Sequence, residues 1–457
     1  MEDLDLPDFF IADVDDQSTI TPNLIADAIE TLIDNQRRYL LTRSTSSIAK
    51  ALCGLAEDWL HPDFPFRRTV LQEGPDRTGF SRETLARGLD NFFETFTAEA
   101  FELWLSQEFG HLQRRDSFVA DRFETRAEKR SRFFAHPVIA HFTPGTLPIP
   151  ALQAMVCGLL VGSSQFLKLS ARGSFIPRMF AHSIYQREPK LGACIELACW
   201  KGANSPLMTP LVSGVNLICA AGADETLDSI RNQMPARTSL VRYGTKVSFA
   251  YVEKSATSSL TLHRTLEGLA DDITAWDQFG CLSPHVVYVQ ELGDTTPERF
   301  AQKLAEALDL KEKREPRGPV SDRTLSQIAF ARKFYGIRAK AGPGVQLFQS
   351  EATSAWTVIQ DSDIRFQTSC GGRLIYVKSV ENLEDALHGA EPIQPVVSTV
   401  GIAASEDNKP EIAESLARWG VNRICEVGSM QRPPLHWRHD GRPALGDLVR
   451  WAEWELS

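Results

Sequence analysis

Short apolar runs of strand length alternate with helix-length stretches in two successive series along the chain, and this alternation constrains the fold more than any other feature. In the first series, from about 136 to 245, Val138–Phe142, Gln165–Leu169, Val215–Ala220 and Ser239–Arg242 read as strands. Ile149–Leu160, Phe175–Tyr185 and Glu225–Asn232 read as the helices between them. The second series, from about 246 to 402, places strands at Val247–Val252, His285–Val289 and Leu374–Val377, with helices near Leu260–Asp271, Pro297–Leu308 and Asp322–Phe334. Strands that alternate with helices fold into parallel sheets covered on both faces, so the fold class is α/β.

The flanks differ from this body. Residues 1–125 place apolar side chains at three- and four-residue spacing over Thr21–Asp34, Ser46–Leu60 and Arg82–Leu105, which predicts a helical lead-in packed on the first α/β domain. The end, 403–457, is expected to return to the body through a helix at Glu411–Trp419 and a final helix over Ala444–Trp454. Trp437, Trp451 and Trp454 are costly to leave in water, so the tail should pack on the body or on a second subunit. The charged run Lys311–Asp322 reads as a solvated loop. The expected domains are therefore 1–125, 126–245, 246–402 and 403–457, a division in keeping with a chain of 457 residues.

Composition removes several classes of function. A formal net charge of -10 without a long Lys/Arg run disfavours nucleic acid as a partner. No apolar run reaches the roughly 18 residues of a membrane span, and the opening MEDLDLPDFF is acidic where a secretion signal is basic, so the expected compartment is the cytoplasm. The eight cysteines include no CxxC pair, which disfavours a structural zinc, and no metal is expected. Neither GxGxxG nor GxxxxGK[ST] follows any of the strands. A dinucleotide in this frame would have to be held in another way.

Four segments occur in a fixed order: FTPGTLPIPAL at 142–152, FLKLS at 166–170, AAGADETLDSIR at 220–231 and DQFGCLSPH at 277–285. A tail, GVNRICEVGSM followed by PPLHWRHDGRPALGDLVRW, closes the chain. This ordered set resembles the aldehyde dehydrogenase superfamily, and most closely the acyl-CoA reductases related to the reductase subunit of bacterial luminescence fatty-acid reductase complexes. The resemblance runs from about residue 135 to the end. It implies an aldehyde-dehydrogenase-like fold with two Rossmann-like α/β domains behind the helical lead-in.

Cys281 stands out as the nucleophile, because a thiolate that attacks an activated carbonyl forms a thioester that hydride can reduce. Gly280 permits close backbone approach, and Ser283-Pro284 reads as the start of a helix whose dipole would favour the thiolate. His285 would share a face of that helix with Cys281, and Gln278 is a supporting candidate. By resemblance, Thr146 falls where the superfamily places an oxyanion-stabilising asparagine, and a threonine hydroxyl is a weaker donor for that purpose. The superfamily's general-base glutamate is replaced by Arg242, which implies reduction of the acyl group rather than its hydrolysis.

The resemblance assigns cofactor contacts to Lys168, on the ribose, and to Glu391, on the nicotinamide ribose. Arg172, four residues after Lys168, offers charge for a 2′-phosphate, which favours NADPH while leaving NADH open. Gly222 ends a strand and precedes a helix, so backbone N–H groups can face a pyrophosphate there, and Glu225 could cap that helix or accept a ribose hydroxyl. Leu227 stands where aldehyde dehydrogenases carry a second glycine. His436, His439 and Asp440 superficially suggest a metal site, although their spacing suits a packed turn better.

The expected reaction is NADPH-dependent reduction of an acyl-CoA or acyl adenylate, of fatty acyl type, to an aldehyde through an S-acyl-cysteine. The alternatives on the same frame are an acyl-phosphate reductase, an aldehyde-oxidising dehydrogenase or a non-catalytic scaffold subunit. An acyl-activating synthetase is the partner implied by resemblance, and the enzyme is expected to be a homo-oligomer.

Overall fold

The computed structural model describes residues 6–14, 20–145, 147–202, 206–291 and 293–456. In chain order its strands are β1 (Lys129–Ala135), β2 (Val138–Phe142), β3 (Ser164–Leu169), β4 (Ile195–Cys199), β5 (Leu217–Ala221), β6 (Ser239–Tyr243) and β7 (Val247–Val252). They continue with β8 (Pro284–Gln290), β9 (Val345–Gln349), β10 (Thr357–Asp361), β11 (Leu374–Val380), β12 (Val397–Ala403), β13 (Arg423–Glu426) and β14 (Val449–Glu455). The chain divides into two compact units, one of residues 1–78, 89–244 and 434–457, the other of 79–88 and 245–433.

The first unit holds a five-stranded parallel sheet in the order β4-β3-β2-β5-β6. Every residue of β2 is buried, as expected of a parallel strand covered on both faces. The Ile149–Val161 helix is almost wholly apolar and fills one face, ending at Gly162, whose φ of +84° suits a helix stop. The Pro22–Asn35 and Met208–Gly214 helices and the first turns of the chain build a core around Ile25, Ile29, Phe166, Met208 and Leu227 on this sheet. The chain leaves β2 towards β3 and later returns to the other side of β2 as β5. The carboxyl ends of β2 and β5 therefore flank a topological switch point, the usual place for a ligand in an open α/β sheet.

The second unit is a seven-stranded sheet, β13-β12-β7-β8-β11-β10-β9, parallel throughout except for β9, which pairs antiparallel with β10 at the edge. Its two faces bury separate clusters, one around Leu269, Phe300, Leu304 and Val377, the other around Phe249, Tyr288, Ile359 and Leu416. Among the described residues no helix is long and apolar enough to cross a membrane.

Two sequence expectations fail here. The final helix over Ala444–Trp454 is absent: Val449–Glu455 is β14, paired antiparallel with β1 over seven positions, with Phe133 opposite Trp451. Val and Trp favour extended backbone, and the segment gains aromatic contacts only in that form. Trp451 lies 6.0 Å from Phe109 and 6.1 Å from Phe133, and Trp454 lies 5.9 Å from Phe118. The charged run Lys311–Asp322 is not a solvated loop either. Its first part completes the Pro297–Arg314 helix, and Glu312 and Arg317, both half-buried, join a polar network around the buried Arg373.

Candidate active site

Cys281 is half-buried in a turn that leads directly into β8. The helix expected at Ser283-Pro284 does not exist, so no helix dipole acts on the thiol from that side. Pro284 is the first residue of a strand, a position where its missing N–H costs nothing, and His285-Val286-Val287-Tyr288-Val289 continues it with residues that favour extended backbone. Ser283 is fully buried and accepts a hydrogen bond from Gln431 Nε2 at 2.7 Å. The Cys281 carbonyl accepts from Ser248 Oγ at 2.7 Å, and Ser248 Oγ in turn accepts from Thr399 N at 3.1 Å. The backbone of the cysteine is thereby tied to β7 and, through it, to β12.

The turn before the cysteine is unusual. Trp276, Asp277 and Gln278 have φ of 51°, 49° and 67°, three consecutive side-chain-bearing residues in the left-handed region. Each costs about 1–2 kcal/mol against ordinary backbone, so the surroundings must over-determine them. They do. Trp276 packs against Phe80 at 5.3 Å and so closely on Gly88 that a Cβ there would meet its ring at 2.1 Å. Gln278 Nε2 donates to the carbonyls of Pro284 and Leu374, both at 2.8 Å. Asp277, 1% exposed, lies 2.7 Å from the guanidinium of Arg373, itself 1% exposed. Gln278 is thus a brace that holds the loop by its side-chain amide.

His285 occupies β8, not a helix, so the shared helical face with Cys281 is lost. Its Nδ1 accepts from the backbone N–H of Ser369 at 2.9 Å, and burial pushes its pKa down to about 4. A neutral imidazole with one nitrogen committed to a loop fits a structural role. Glu391 belongs to the short helical turn Glu391–Val396 that leads into β12. Because β7, β8, β11 and β12 are parallel, the segments before them, with Cys281 and Glu391, reach the same edge of the sheet. The Glu391 carboxylate is exposed, 3.8 Å from His388.

The remaining candidates lie in the first unit. Lys168 is on β3, half-buried, with its ammonium 5.8 Å from the Trp200 ring, and burial lowers its pKa. Arg172 is exposed in the turn after β3. Gly222 follows β5 beside the switch point, where an added Cβ would meet no atom of the described residues within 4 Å. The Asp224–Gln233 helix starts there with Ala223 as its N-cap and no side-chain cap, so neither Asp224 nor Glu225 closes the end of the helix. Glu225 is exposed in the first turn. Leu227 is fully buried in the core, which explains why no glycine stands there. An uncapped helix start beside an open glycine and an ammonium at the carboxyl edge fit the phosphates and ribose of a dinucleotide. Thr146 lies outside the described residues.

Arg242, on β6, pairs with Asp228 at 3.0 Å, so the position that the resemblance matched to a general base holds an ion-paired guanidinium. The tail lies against the same strand: the His439 ring stacks on Tyr243 at 4.6 Å, and His436 accepts from Gln107 through its carbonyl at 2.9 Å. Among the described residues no group of three His, Cys, Asp or Glu is placed to hold a metal. Asp277, Glu312, Arg317 and Arg373 were missed from sequence. Asp277 and Arg373 are 96 positions apart, and only their placement next to Cys281 and after Gly371-Gly372 hinted at a local role.

The solved structures that this chain is similar to include a putative aldehyde dehydrogenase from Anabaena variabilis, at 15% identity and a TM-score of 0.65 over 95% of this chain and 93% of that one. A glyceraldehyde-3-phosphate dehydrogenase from Methanocaldococcus jannaschii, solved in complex with NADP, gives 13% identity and a TM-score of 0.64 over 95% and 94%. The fold is that of the aldehyde dehydrogenases. In sequence, the chain is 22% identical over 425 residues to the long-chain acyl-protein thioester reductase of Vibrio harveyi, across 91% of this chain and 84% of the relative. The profile of the acyl-CoA reductase (LuxC) family matches residues 41–451, nearly the whole chain including the cysteine loop, both sheets and the tail, and the protein therefore belongs to that family of acyl-reducing oxidoreductases.

Proposed function

We propose that this protein reduces a long-chain acyl thioester to the aldehyde, with Cys281 as the covalent acyl carrier and NADPH as the hydride source. The observation that carries the reading is the Cys281 turn, a half-buried thiol on a braced, strained loop at the sheet edge. A nucleophile held in one geometry turns a bimolecular attack into an oriented one. The acyl donor is a thioester on a partner protein, as the name of the Vibrio harveyi relative indicates for that enzyme, and acyl-CoA is the smaller donor of the same chemistry.

In this scheme the Cys281 thiolate attacks the acyl carbonyl, the donor's thiolate leaves and takes a proton, and an S-acyl-Cys281 remains. Backbone N–H donors near Cys281 stabilise the oxyanion of the tetrahedral intermediate. NADPH, when bound, supplies the hydride. Lys168, Gly222 and the uncapped start of the Asp224–Gln233 helix would hold its ribose and pyrophosphate, with Arg172 on the 2′-phosphate. After reduction the carbon–sulfur bond to Cys281 breaks, and aldehyde and thiolate separate. Arg242, committed to Asp228, is no base for water, so the thioester persists until it is reduced.

The test is single-turnover acylation with acyl-CoAs of increasing length, followed by peptide mass spectrometry with and without NADPH. The expected result is one acyl group on Cys281 without NADPH and its loss as aldehyde with NADPH. Release as free acid at an equal rate would overturn the reductive scheme.

A further inference from the structure

We infer that Arg373 is a positioning residue for acyl transfer: with Asp277 it forms a buried clamp that holds the left-handed turn ahead of Cys281 and so sets the direction of attack. The inference rests on the functional reading of Cys281 given above, and it assigns a task to charges that lie outside the reacting groups.

Arg373 ends a second left-handed run, Gly371-Gly372-Arg373, with φ of 75°, 65° and 63°. The two runs are joined face to face. Gly372 N donates to the Asp277 carbonyl at 2.9 Å, Arg373 Nε donates to Asp277 Oδ1 at 3.0 Å, and Gly318 N donates to Oδ2 at 3.2 Å. The same guanidinium donates to Glu312 Oε2 at 2.5 Å and to the Glu315 carbonyl at 2.8 Å. Arg317 completes the cluster, donating to the Gly372 carbonyl at 3.2 Å and to Ser354 Oγ at 2.9 Å. Two cations and two carboxylates thus balance around a centre, Asp277 and Arg373, that is 1% exposed, with Glu312 and Arg317 half-buried at its rim.

Such a buried network is a poor source of stability, because desolvation consumes much of the attraction, but it tolerates few alternative geometries. Its location decides what that rigidity serves. Asp277 is four residues before Cys281, and Gln278 fastens the other end of the loop to Pro284, three residues after it. The span that carries the thiol is therefore held at both ends, and Arg373 is the piece that joins its front end to the strand entry of β11.

The experiment uses the full-length enzyme with acyl-CoA and NADPH. Arg373→Met and Asp277→Asn should each lower kcat at least 30-fold with KM for acyl-CoA within threefold, and Arg373→Lys should recover at least fivefold over Arg373→Met. Alkylation of Cys281 by iodoacetamide, a small probe that accepts many approach angles, should stay within threefold of wild type in all three. A kcat within threefold of wild type in Arg373→Met or Asp277→Asn overturns the clamp, and so does an equal fall in acylation and alkylation. If Arg373→Met fails to fold, Arg373→Lys and Asp277→Asn decide by the same criteria. A Cys281→Ala variant that still reduces acyl-CoA at the wild-type rate would instead overturn the functional reading, and the alkylation comparison would still report on the loop.

Discussion

The two α/β units present their candidate residues in opposite ways. In the second unit Cys281 sits on a loop where three left-handed residues are braced, the Gln278 amide donates to two carbonyls, and a buried ion pair closes the turn. In the first, Gly222 has no atom of the described residues where a Cβ would stand, the following helix starts uncapped, and Arg172 and Glu225 are exposed. Under the proposed function, the contrast follows from what each side must do. A nucleophile gains from being fixed before its substrate arrives, whereas a site for an exchangeable dinucleotide must leave its donors available.

Substitutions in the two units should therefore fail in different ways. The largest effect is expected at the thiol: Cys281→Ser should lower the rate of acyl reduction by at least ~10³-fold while leaving cofactor binding unchanged, measured by initial rates and by fluorescence titration. Next comes acid. His285 is held neutral, with a pKa of about 4 against 6.5 for the free ring, so its contribution is complete above the free value. It is lost as pH falls from 6.5 towards 4, where the unfolded chain takes up the proton first, a swing of about 3 kcal/mol at most. His285→Asn, which keeps an acceptor for Ser369 N, should flatten part of that acid loss in denaturant melts at pH 7 and pH 4.5. An unchanged acid dependence would mean that the imidazole is not held neutral.

Two glycines then test rigidity against openness directly. Gly88→Ala drives a methyl into the Trp276 ring and should cost about 1–3 kcal/mol of stability. Gly222→Ala meets no atom of the described residues within 4 Å and should leave stability unchanged. Because that space is assigned to the pyrophosphate, it should raise KM for NADPH, as should Lys168→Met, each by roughly tenfold or about 1.4 kcal/mol. Equal stability losses at Gly88 and Gly222 would remove the contrast between the two units.

Much of the frame was legible in the chain because the strands of both sheets are short, apolar and separated by helical patterns. Val138–Phe142 and Val247–Val252 have the same bounds in sequence and structure. β12, an interior strand next to the edge strand β13, was not legible. Val397–Ala403 is buried on both faces and mixes Ser398, Thr399 and Gly401 among apolar residues, so it shows neither alternation nor a continuous apolar run. β14 was misread because its aromatic residues at 451 and 454 also match helical spacing, and only the pairing with β1 decides between the two. At the candidate site, the cysteine stands out through its motif, while the placement of its neighbours depends on backbone geometry. A strand begins where Ser283-Pro284 suggested a helix, and that single change removed both the dipole and the pairing with His285. The Asp277–Arg373 clamp joins distant parts of the chain, and the charged run that supplies Glu312 and Arg317 had the composition of a solvated loop.

The most direct test of Cys281 as acyl carrier is intact-protein mass spectrometry after rapid quenching with a long-chain acyl-CoA in the absence of NADPH. The predicted result is a single added acyl mass on the wild-type protein, mapped to the peptide containing Cys281 and absent from Cys281→Ser, that is discharged as aldehyde when NADPH is added. An acyl group found at another cysteine, or reduction to aldehyde with no acylated enzyme at any time point, would contradict it.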